Sequence, residues 1–245
     1  MSRVVVITGA GGTLGAALSN RFAGEPDTDV VLSDVSRESL DASVTGLPEQ
    51  RGAVETLLAD VSEVAQVEAV AALAMDRFGH VDAFISNAGV LSPNGRIHNL
   101  ATDDWERAFR VNILGAVNGI RAAVPVMRAQ RSGSIVLTAS VAGLTAWSHA
   151  APYCATKAAV IQLAKVAAVE YARDGIRVNC VCPGTFLSGI HADLPQEAID
   201  AIAARHPLGL GSTADLVGAY SYLANDASRW TTGAALVVDG GYAAP

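Results

Sequence analysis

The 245-residue sequence has few cysteines, few charged residues and no long apolar run, and each shortage excludes a class of protein. Its cysteines, Cys154, Cys180 and Cys182, are odd in number and lack the spacing of a metal or redox site, so a reduced, cytoplasmic setting is expected. No stretch reaches the roughly 20 apolar residues that a membrane helix needs. The first residues favour a β-strand over a secretion signal. The five histidines show no paired ligand spacing, so no metal site is expected.

Basic residues are also scarce. There are 17 lysines and arginines against 24 aspartates and glutamates, and the formal net charge is -7. Scattered basic residues on an acidic chain argue against a nucleic acid or an anionic membrane as partner. The expected partner is therefore a small molecule.

What the sequence does have is a regular alternation of apolar strands and amphipathic helices. Hydrophobic residues make up 51% of the chain, which indicates a large core, and no linker divides residues 1–245, which predicts a single domain. Strands are expected at Val4–Ile7, Val30–Leu32, Leu57–Ala59, Val81–Ile85, Ser134–Leu137, Ile176–Val181 and Ala235–Val238. The pattern predicts an α/β fold of the Rossmann type, a doubly wound parallel sheet of about seven strands with helices on both faces.

Polar or glycine-rich segments follow six of these strands. They are Thr8–Gly15, Asp34, Asp60, Asn87, Ser140 and Pro183–Gly184. Because ligands of such sheets bind beyond the carboxyl ends of the strands, we expect these segments to meet at one edge.

The segment Thr8–Gly15 reads TGAGGTLG between a strand and a helix, which is typical of a turn that holds a pyrophosphate at a helix N-terminus. Asp34 lies nineteen residues beyond Gly15, close to the spacing of a carboxylate that binds ribose hydroxyls and repels a 2′-phosphate. It favours NAD over NADP, although Arg37 nearby leaves NADP possible. Asp60 could contact the adenine or cap a helix.

Tyr153 and Lys157 lie one turn apart on an alanine-rich helical segment. A neighbouring ammonium would favour the phenolate and bring the tyrosine closer to its working pH as a proton donor and acceptor. Ser140, thirteen residues upstream, could hold the substrate oxygen. This combination predicts a site of hydride transfer.

Over essentially its whole length the chain resembles the compact single-domain branch of the short-chain dehydrogenase/reductase family. The motifs are the glycine turn, SNAG at Ser86–Gly89, VNILG with Asn112, YCATK, IRVNCVCPG and TGAALVVDGG. Two positions depart from the usual pattern. Gly9, Gly12 and Gly15 fit TGxxGxxG, with Thr13 where the compact branch usually has glycine, and Ser188 stands where a threonine is frequent.

The resemblance implies NAD(P)(H) as hydride carrier, a homotetramer, and a catalytic tetrad of Asn112, Ser140, Tyr153 and Lys157. Asn112 would support a water that leads protons to solvent. The residues that would contact the cofactor are Gly9, Gly12, Thr13, Leu14, Gly15, Asp34, Asp60, Val61, Asn87, Ala88, Gly89, Tyr153, Lys157, Pro183, Gly184 and Ser188.

The expected function is NAD(H)-dependent interconversion of a secondary alcohol and a ketone on an apolar small molecule. A substrate lid is expected at about 186–210, where the apolar residues are Phe186, Leu187, Ile190, Leu194 and Ile199. Leu144 and Trp147 would add to the pocket, and His149 or His191 could supply a polar contact.

Two other functions stay open. One is an NADPH-dependent 3-oxoacyl thioester reductase, for which Arg128, Arg131 and Arg173 could form a carrier-protein patch. The other is a non-catalytic dinucleotide sensor on the same fold.

Overall fold

The computed structural model describes residues 2–49, 52–188 and 195–244, and its centre is one parallel β-sheet. The strands are Arg3–Thr8 (β1), Thr28–Asp34 (β2), Val54–Leu58 (β3), Ala83–Ser86 (β4), Gly133–Thr138 (β5), Ile176–Pro183 (β6) and Ala235–Val238 (β7). The described α-helices are Thr13–Ala23 (α1), Arg37–Thr45 (α2), Val64–Phe78 (α3), Thr102–Ala108 (α4), Gly115–Gln130 (α5), Ala151–Tyr171 (α6), Gln196–Ala203 (α7) and Thr213–Ala224 (α8). The predicted α/β sheet is confirmed.

Strand β4 begins two residues later than the apolar run predicts. Val81 donates its backbone N–H to the Gln130 side chain at 2.9 Å instead of to a neighbouring strand. Ladder pairing therefore starts only at Ala83, opposite Val5 of β1.

The strand order is β3-β2-β1-β4-β5-β6-β7, so the winding reverses between β1 and β4. Thr8 pairs with Ser33 on one side and with Ser86 on the other, and Ser86 pairs with Leu137. The carboxyl ends of these strands are therefore level. In open α/β sheets the crevice beyond such a switch point is where ligands bind.

Each face of the sheet has its own apolar cluster. Val70, Ile120 and Val160 bring α3, α5 and α6 onto one face. Leu18 and Leu223 bring α1 and α8 onto the other. Since both faces are covered, the strands consist of near-continuous apolar residues, as parallel sheets require.

Helices α4 and α5 are not joined by regular α-helix. Phe109–Leu114 forms a π-turn between α4 and α5 and includes the buried Asn112. Such turns interrupt the regular spacing of a helix and occur often at functional sites. Hydrophobic periodicity alone gave no sign of it.

Candidate active site

A cavity of about 660 Å³ lies at the carboxyl edge of the sheet and contains nearly every residue that the sequence selects. The predicted site residues in its lining are Gly9, Gly12, Thr13, Leu14, Gly15, Asp34, Asp60, Val61, Asn87, Ala88, Gly89, Ser140, Tyr153, Lys157, Pro183, Gly184 and Ser188. Asn112 is outside the lining. The structure thus joins the glycine turn to the tyrosine and lysine in one continuous space.

The glycine turn leads into the first turn of α1, where Thr13, Leu14 and Gly15 line this cavity. Gly9 has a φ of +66°, in the left-handed region, and a Cβ there would lie 2.7 Å from the Cα of Ala88. Helix α1 starts directly afterwards. The N–H groups of Thr13, Leu14 and Gly15 in its first turn have no helical carbonyl to which they could donate a hydrogen bond. An anionic group such as a pyrophosphate fits this end, where the helix dipole is positive.

The two predicted nucleotide-binding carboxylates are held by local backbone bonds. Asp34 accepts hydrogen bonds from the N–H of Gly11 at 2.9 Å and of Ser36 at 3.0 Å. Asp60 accepts one from the N–H of Ser62 at 2.9 Å. Each carboxylate has further lone pairs for a ligand, and both line the cavity beside the glycine turn.

The Lys157 ammonium is buried between the sheet and Tyr153. Its Nζ donates to the carbonyl of Thr138 at 2.7 Å and lies 5.7 Å from the centre of the Tyr153 ring. Burial raises the pKa of Tyr153, while the hydrogen bond with Ser140 acts to lower it. The expectation that the ammonium lowers the phenol pKa is therefore not met, because the loss of solvent around the phenol raises its pKa by more than its polar neighbours lower it.

Burial also lowers the pKa of Lys157 to about 8, against the opposing effect of the Cys182 and Cys180 thiols. The unfolded chain binds this proton up to about pH 10.4. Between these pH values the unfolded state holds more protons, so the stability of the fold rises with pH through this window. Below about pH 8 Lys157 is charged in the folded chain as well, and the fold is destabilised by the full free energy of burying that charge.

Lys157→Met tests this cost, because methionine fills similar space without the charge. We expect the native protein to become more stable relative to the variant as the pH rises from 7 to 9.5. The gain in its unfolding free energy over that of the variant should be on the order of 2 kcal/mol. Urea unfolding of both cofactor-free proteins at the two pH values measures it. Identical pH slopes would show that the lysine is solvated.

Asn112 connects the loop after β4 to α6. Its Oδ1 accepts from the N–H of Val90 at 2.8 Å, and its Nδ2 donates to the Val90 carbonyl and to Thr156 Oγ1, both at 3.0 Å. A Cβ added to Gly89 would lie 3.2 Å from both Asn112 Oδ1 and Lys157 Nζ. Asn112 therefore lies directly behind the catalytic end of the cavity.

A polar network in the wall of the cavity includes two residues that the sequence analysis missed, Thr138 and Tyr220. Thr138 Oγ1 donates to Asn87 Oδ1 at 3.2 Å and shares a hydrogen bond of 2.9 Å with the hydroxyl of Tyr220. Asn87 Nδ2 in turn donates to the carbonyl of Gly9 at 3.2 Å. The network fixes the end of β5 against the glycine turn. Tyr220 lies on α8, and only the fold brings it here.

The predicted apolar pocket is correct only in part. Trp147 and Phe186 line the cavity, but Leu144, His149, Leu187 and Ile199 do not. Leu144 and Leu187 are about half exposed instead. Ile190, His191 and Leu194 lie outside the described residues. Residues that the sequence analysis missed complete the lining: Val35, Ala59, Val90, Leu91, Arg107, Val111, Thr138, Ala139, Thr185, Ile202, Arg205 and Tyr242.

Comparison with known families agrees with this geometry. The family model described as enoyl-(acyl carrier protein) reductase matches residues 9–243. The 2-(R)-hydroxypropyl-CoM dehydrogenase of Xanthobacter autotrophicus is 38% identical over the full length of both chains. The chain belongs to the short-chain dehydrogenase/reductase family. Members carry hydride on NAD or NADP, and the protein is an oxidoreductase acting on CH–OH groups.

Other members of the short-chain dehydrogenase/reductase family are similar in sequence and in fold. The 3-oxoacyl-[acyl-carrier-protein] reductase FabG of Thermotoga maritima is 34% identical over 98% of this chain and 97% of its own. The crystal structure of levodione reductase is 32% identical, covers 99% of this chain and 98% of that chain, and superposes with a TM-score of 0.92. Relatives thus include both dehydrogenases and reductases.

Three further observations concern this family member. Within residues 2–49, 52–188 and 195–244, no three histidine, cysteine or acidic side chains are grouped so that they could hold a metal ion. No helix in the same ranges has both the length and the apolar character needed to span a bilayer. All three cysteines are free thiols.

Proposed function

We propose that the protein interconverts a secondary alcohol and a ketone with NAD(H). The observation that carries the proposal is the single cavity in which the glycine turn and Asp34 are continuous with Ser140, Tyr153 and Lys157. Such a space fits an extended dinucleotide with a small substrate at its far end. The apolar lining by Leu91, Val111 and Phe186 suits a substrate with a hydrocarbon body.

In this proposal each catalytic side chain has one task. When bound, the nicotinamide supplies the hydride carrier. Ser140 positions the substrate oxygen, and Tyr153 exchanges the hydroxyl proton with it. Lys157 stabilises the phenolate once the proton has left, and Asn112 positions the backbone behind Lys157 and supports the path of protons to solvent. The raised pKa of Tyr153 keeps the phenol protonated at neutral pH, as donation to a ketone oxygen requires.

Asp34 supports NAD as the cofactor. Its carboxylate lies at the end of β2 in the cavity lining, where it can accept from ribose hydroxyls and repel a 2′-phosphate. Arg37, which could have favoured NADP, is outside the lining and lies 3.9 Å from Asp41 on the same helix. That ion pair is exposed and weak, so the argument rests mainly on Asp34.

Asp34→Ala is expected to weaken NADH binding about tenfold, because charge-assisted hydrogen bonds to the ribose are lost. NADPH binding should improve, since the repulsion disappears. Fluorescence titration of NADH and NADPH measures both. Asp34→Asn is the matched variant, because its amide oxygen can still accept from Gly11 and so keep the turn in place. A preference of the native protein for NADPH would contradict the proposal.

A second candidate is reduction of 3-oxoacyl thioesters with NADPH, which the likeness to FabG supports. The arginine patch predicted for a carrier protein, however, contains a carboxylate that partly neutralises it. Arg128 and Arg131 both pair with Asp174, at 2.9 Å and 3.6 Å, and Arg131 also donates to the carbonyl of Arg173 at 3.2 Å. The remaining candidate, a non-catalytic dinucleotide sensor, is less well supported, because a sensor would not need the intact set of Asn112, Ser140, Tyr153 and Lys157.

We further propose a cytoplasmic homotetramer of single-domain subunits, each with a substrate lid at about 186–210. Exposed apolar side chains on two helical segments support association. Phe109 and Leu114 are 49% and 43% exposed, and Val166 and Val169 on α6 are 45% and 83% exposed. Apolar helix faces of this kind are typical of helix–helix interfaces between subunits.

A further inference from the structure

Two hydrogen-bonding groups at the substrate end of the cavity have no partner within the described chain. They are the indole N–H of Trp147 and the hydroxyl of Tyr242, and both atoms are buried. Both residues line the cavity, and their rings lie 6.2 Å apart. The Trp147 ring is also 6.2 Å from the Tyr153 ring. Buried polar groups are nearly always paired, so these two indicate that a ligand completes them.

Arg205 adds a positive charge to the same place. Its guanidinium lies 4.8 Å from the centre of the Tyr242 ring, and it lines the cavity. Seven other arginines form ion pairs with carboxylates, but among the described residues Arg205 forms none. Arg107 lines the cavity and is likewise without a carboxylate in the described part of the chain.

The position of Tyr242 is fixed by His206. The centres of the two rings lie 4.7 Å apart with their planes tilted by 36°, and His206 is buried. Its Nε2 accepts from the N–H of Thr185 at 3.2 Å, which leaves Nδ1 to donate to the carbonyl of Ile202 at 2.9 Å. Since both ring nitrogens bond to backbone groups, the His206 ring is held in one orientation. The Tyr242 hydroxyl is therefore held in place before any ligand binds.

The two ends of the cavity differ in charge. The carboxylates that line it among the described residues are Asp34 and Asp60, both at the glycine turn. The end with Trp147 and Tyr242 has Arg205 and the two unpaired donors instead. This arrangement suits a ligand group that is negative and rich in acceptors.

We propose that the Trp147–Tyr242 end binds an anionic oxygen-bearing substituent of the substrate, a carboxylate or a sulfonate. Arg205 supplies the charge, and the Trp147 and Tyr242 groups donate hydrogen bonds. The inference rests on the proposed function, since the reacting hydroxyl is placed at Tyr153. The substrate class becomes a hydroxy acid or keto acid whose hydrocarbon body separates the carbinol carbon from the anion.

Calorimetric titration of two probes into the protein with saturating NADH tests this without turnover. Cyclohexanecarboxylate and cyclohexanecarboxamide have the same size and differ in charge. We expect the carboxylate to bind about tenfold tighter, because a charge-assisted hydrogen bond is about twice as strong as a neutral one. Arg205→Gln should remove that preference, and Tyr242→Phe should reduce it. Arg205 is exposed, so its replacement should leave the fold intact.

Arg229→Gln is the matched control, since Arg229 is also exposed and lines a separate cavity beside Ser2 and Gly133, at the amino end of the strands. It should keep the full preference for the carboxylate. Equal affinity for the two probes, no binding of the carboxylate, or the same loss in both arginine variants would overturn the inference. Failure of the proposed function looks different, because NADH itself would then not bind or no secondary alcohol would be oxidised.

Discussion

Tyr153→Phe is expected to lower kcat at least about 10³-fold while NADH affinity changes less than about twofold. The substitution removes the hydroxyl that we propose exchanges a proton with the substrate oxygen beside Ser140. It keeps the ring, which lies 6.2 Å from Trp147 and 5.7 Å from the Lys157 ammonium. Single-turnover kinetics with the best alcohol from an NAD-linked screen, together with fluorescence titration of NADH, separates chemistry from binding.

Tyr222→Phe is the matched control for this experiment. The Tyr222 hydroxyl bonds to Thr231 at 2.9 Å and lies outside the cavity lining, so its loss should leave kcat unchanged. Full activity in Tyr153→Phe would remove Tyr153 from the mechanism. A parallel loss of NADH affinity would instead mean that the phenol serves mainly to bind the dinucleotide.

The sequence was sufficient for features that depend on neighbours along the chain. The glycine turn, Asp34 and the Tyr153–Lys157 pair are each defined by short spacings, and the strands by runs of apolar residues. Because parallel strands end at one edge, placing these features together needed only the fold class. The cavity brings together all sixteen residues that the motifs predict to contact the cofactor.

Features that depend on the tertiary fold were missed. Tyr242 and Arg205 reach the cavity from the C-terminal part of the chain. Arg205 falls in the predicted lid and Tyr242 follows the TGAALVVDGG motif, but neither pattern assigns the residue a role. Thr138 and Tyr220 form a hydrogen bond across 82 residues of sequence. Sequence spacing contains no information on such contacts, since they depend on how α7 and α8 pack beside the sheet.

The direction of the tyrosine pKa shift is a related case. The spacing of Tyr153 and Lys157 suggests that charge should dominate, but burial has the larger effect on both groups. How strongly a side chain is desolvated depends on every element packed around it. The Lys157 ammonium bonds to the Thr138 carbonyl, a partner that follows only from the packing of α6 on β5.

Gly15→Ala is expected to lower the free energy of unfolding by about 3 kcal/mol, even though alanine is the better helix former. A Cβ at this position of α1 would lie 1.9 Å from the carbonyl oxygen of Gly9 and 2.8 Å from the Cα of Ala10. Both are backbone atoms, so the turn itself must move. Urea unfolding of the cofactor-free protein measures the loss, and NADH titration should show weaker binding as well.

Gly218→Ala isolates the backbone clash from helix propensity. Gly218 lies on α8, and a Cβ there would meet nothing within 4 Å, so alanine should stabilise the fold by about 0.5–1 kcal/mol. Opposite signs for the same substitution in two helices would show that the close approach of Gly15 to Gly9 decides the outcome. If both variants were more stable than the native protein, the glycine turn could move to accept a Cβ at no cost in free energy. The present shape of the turn would then not be required to position the first N–H groups of α1.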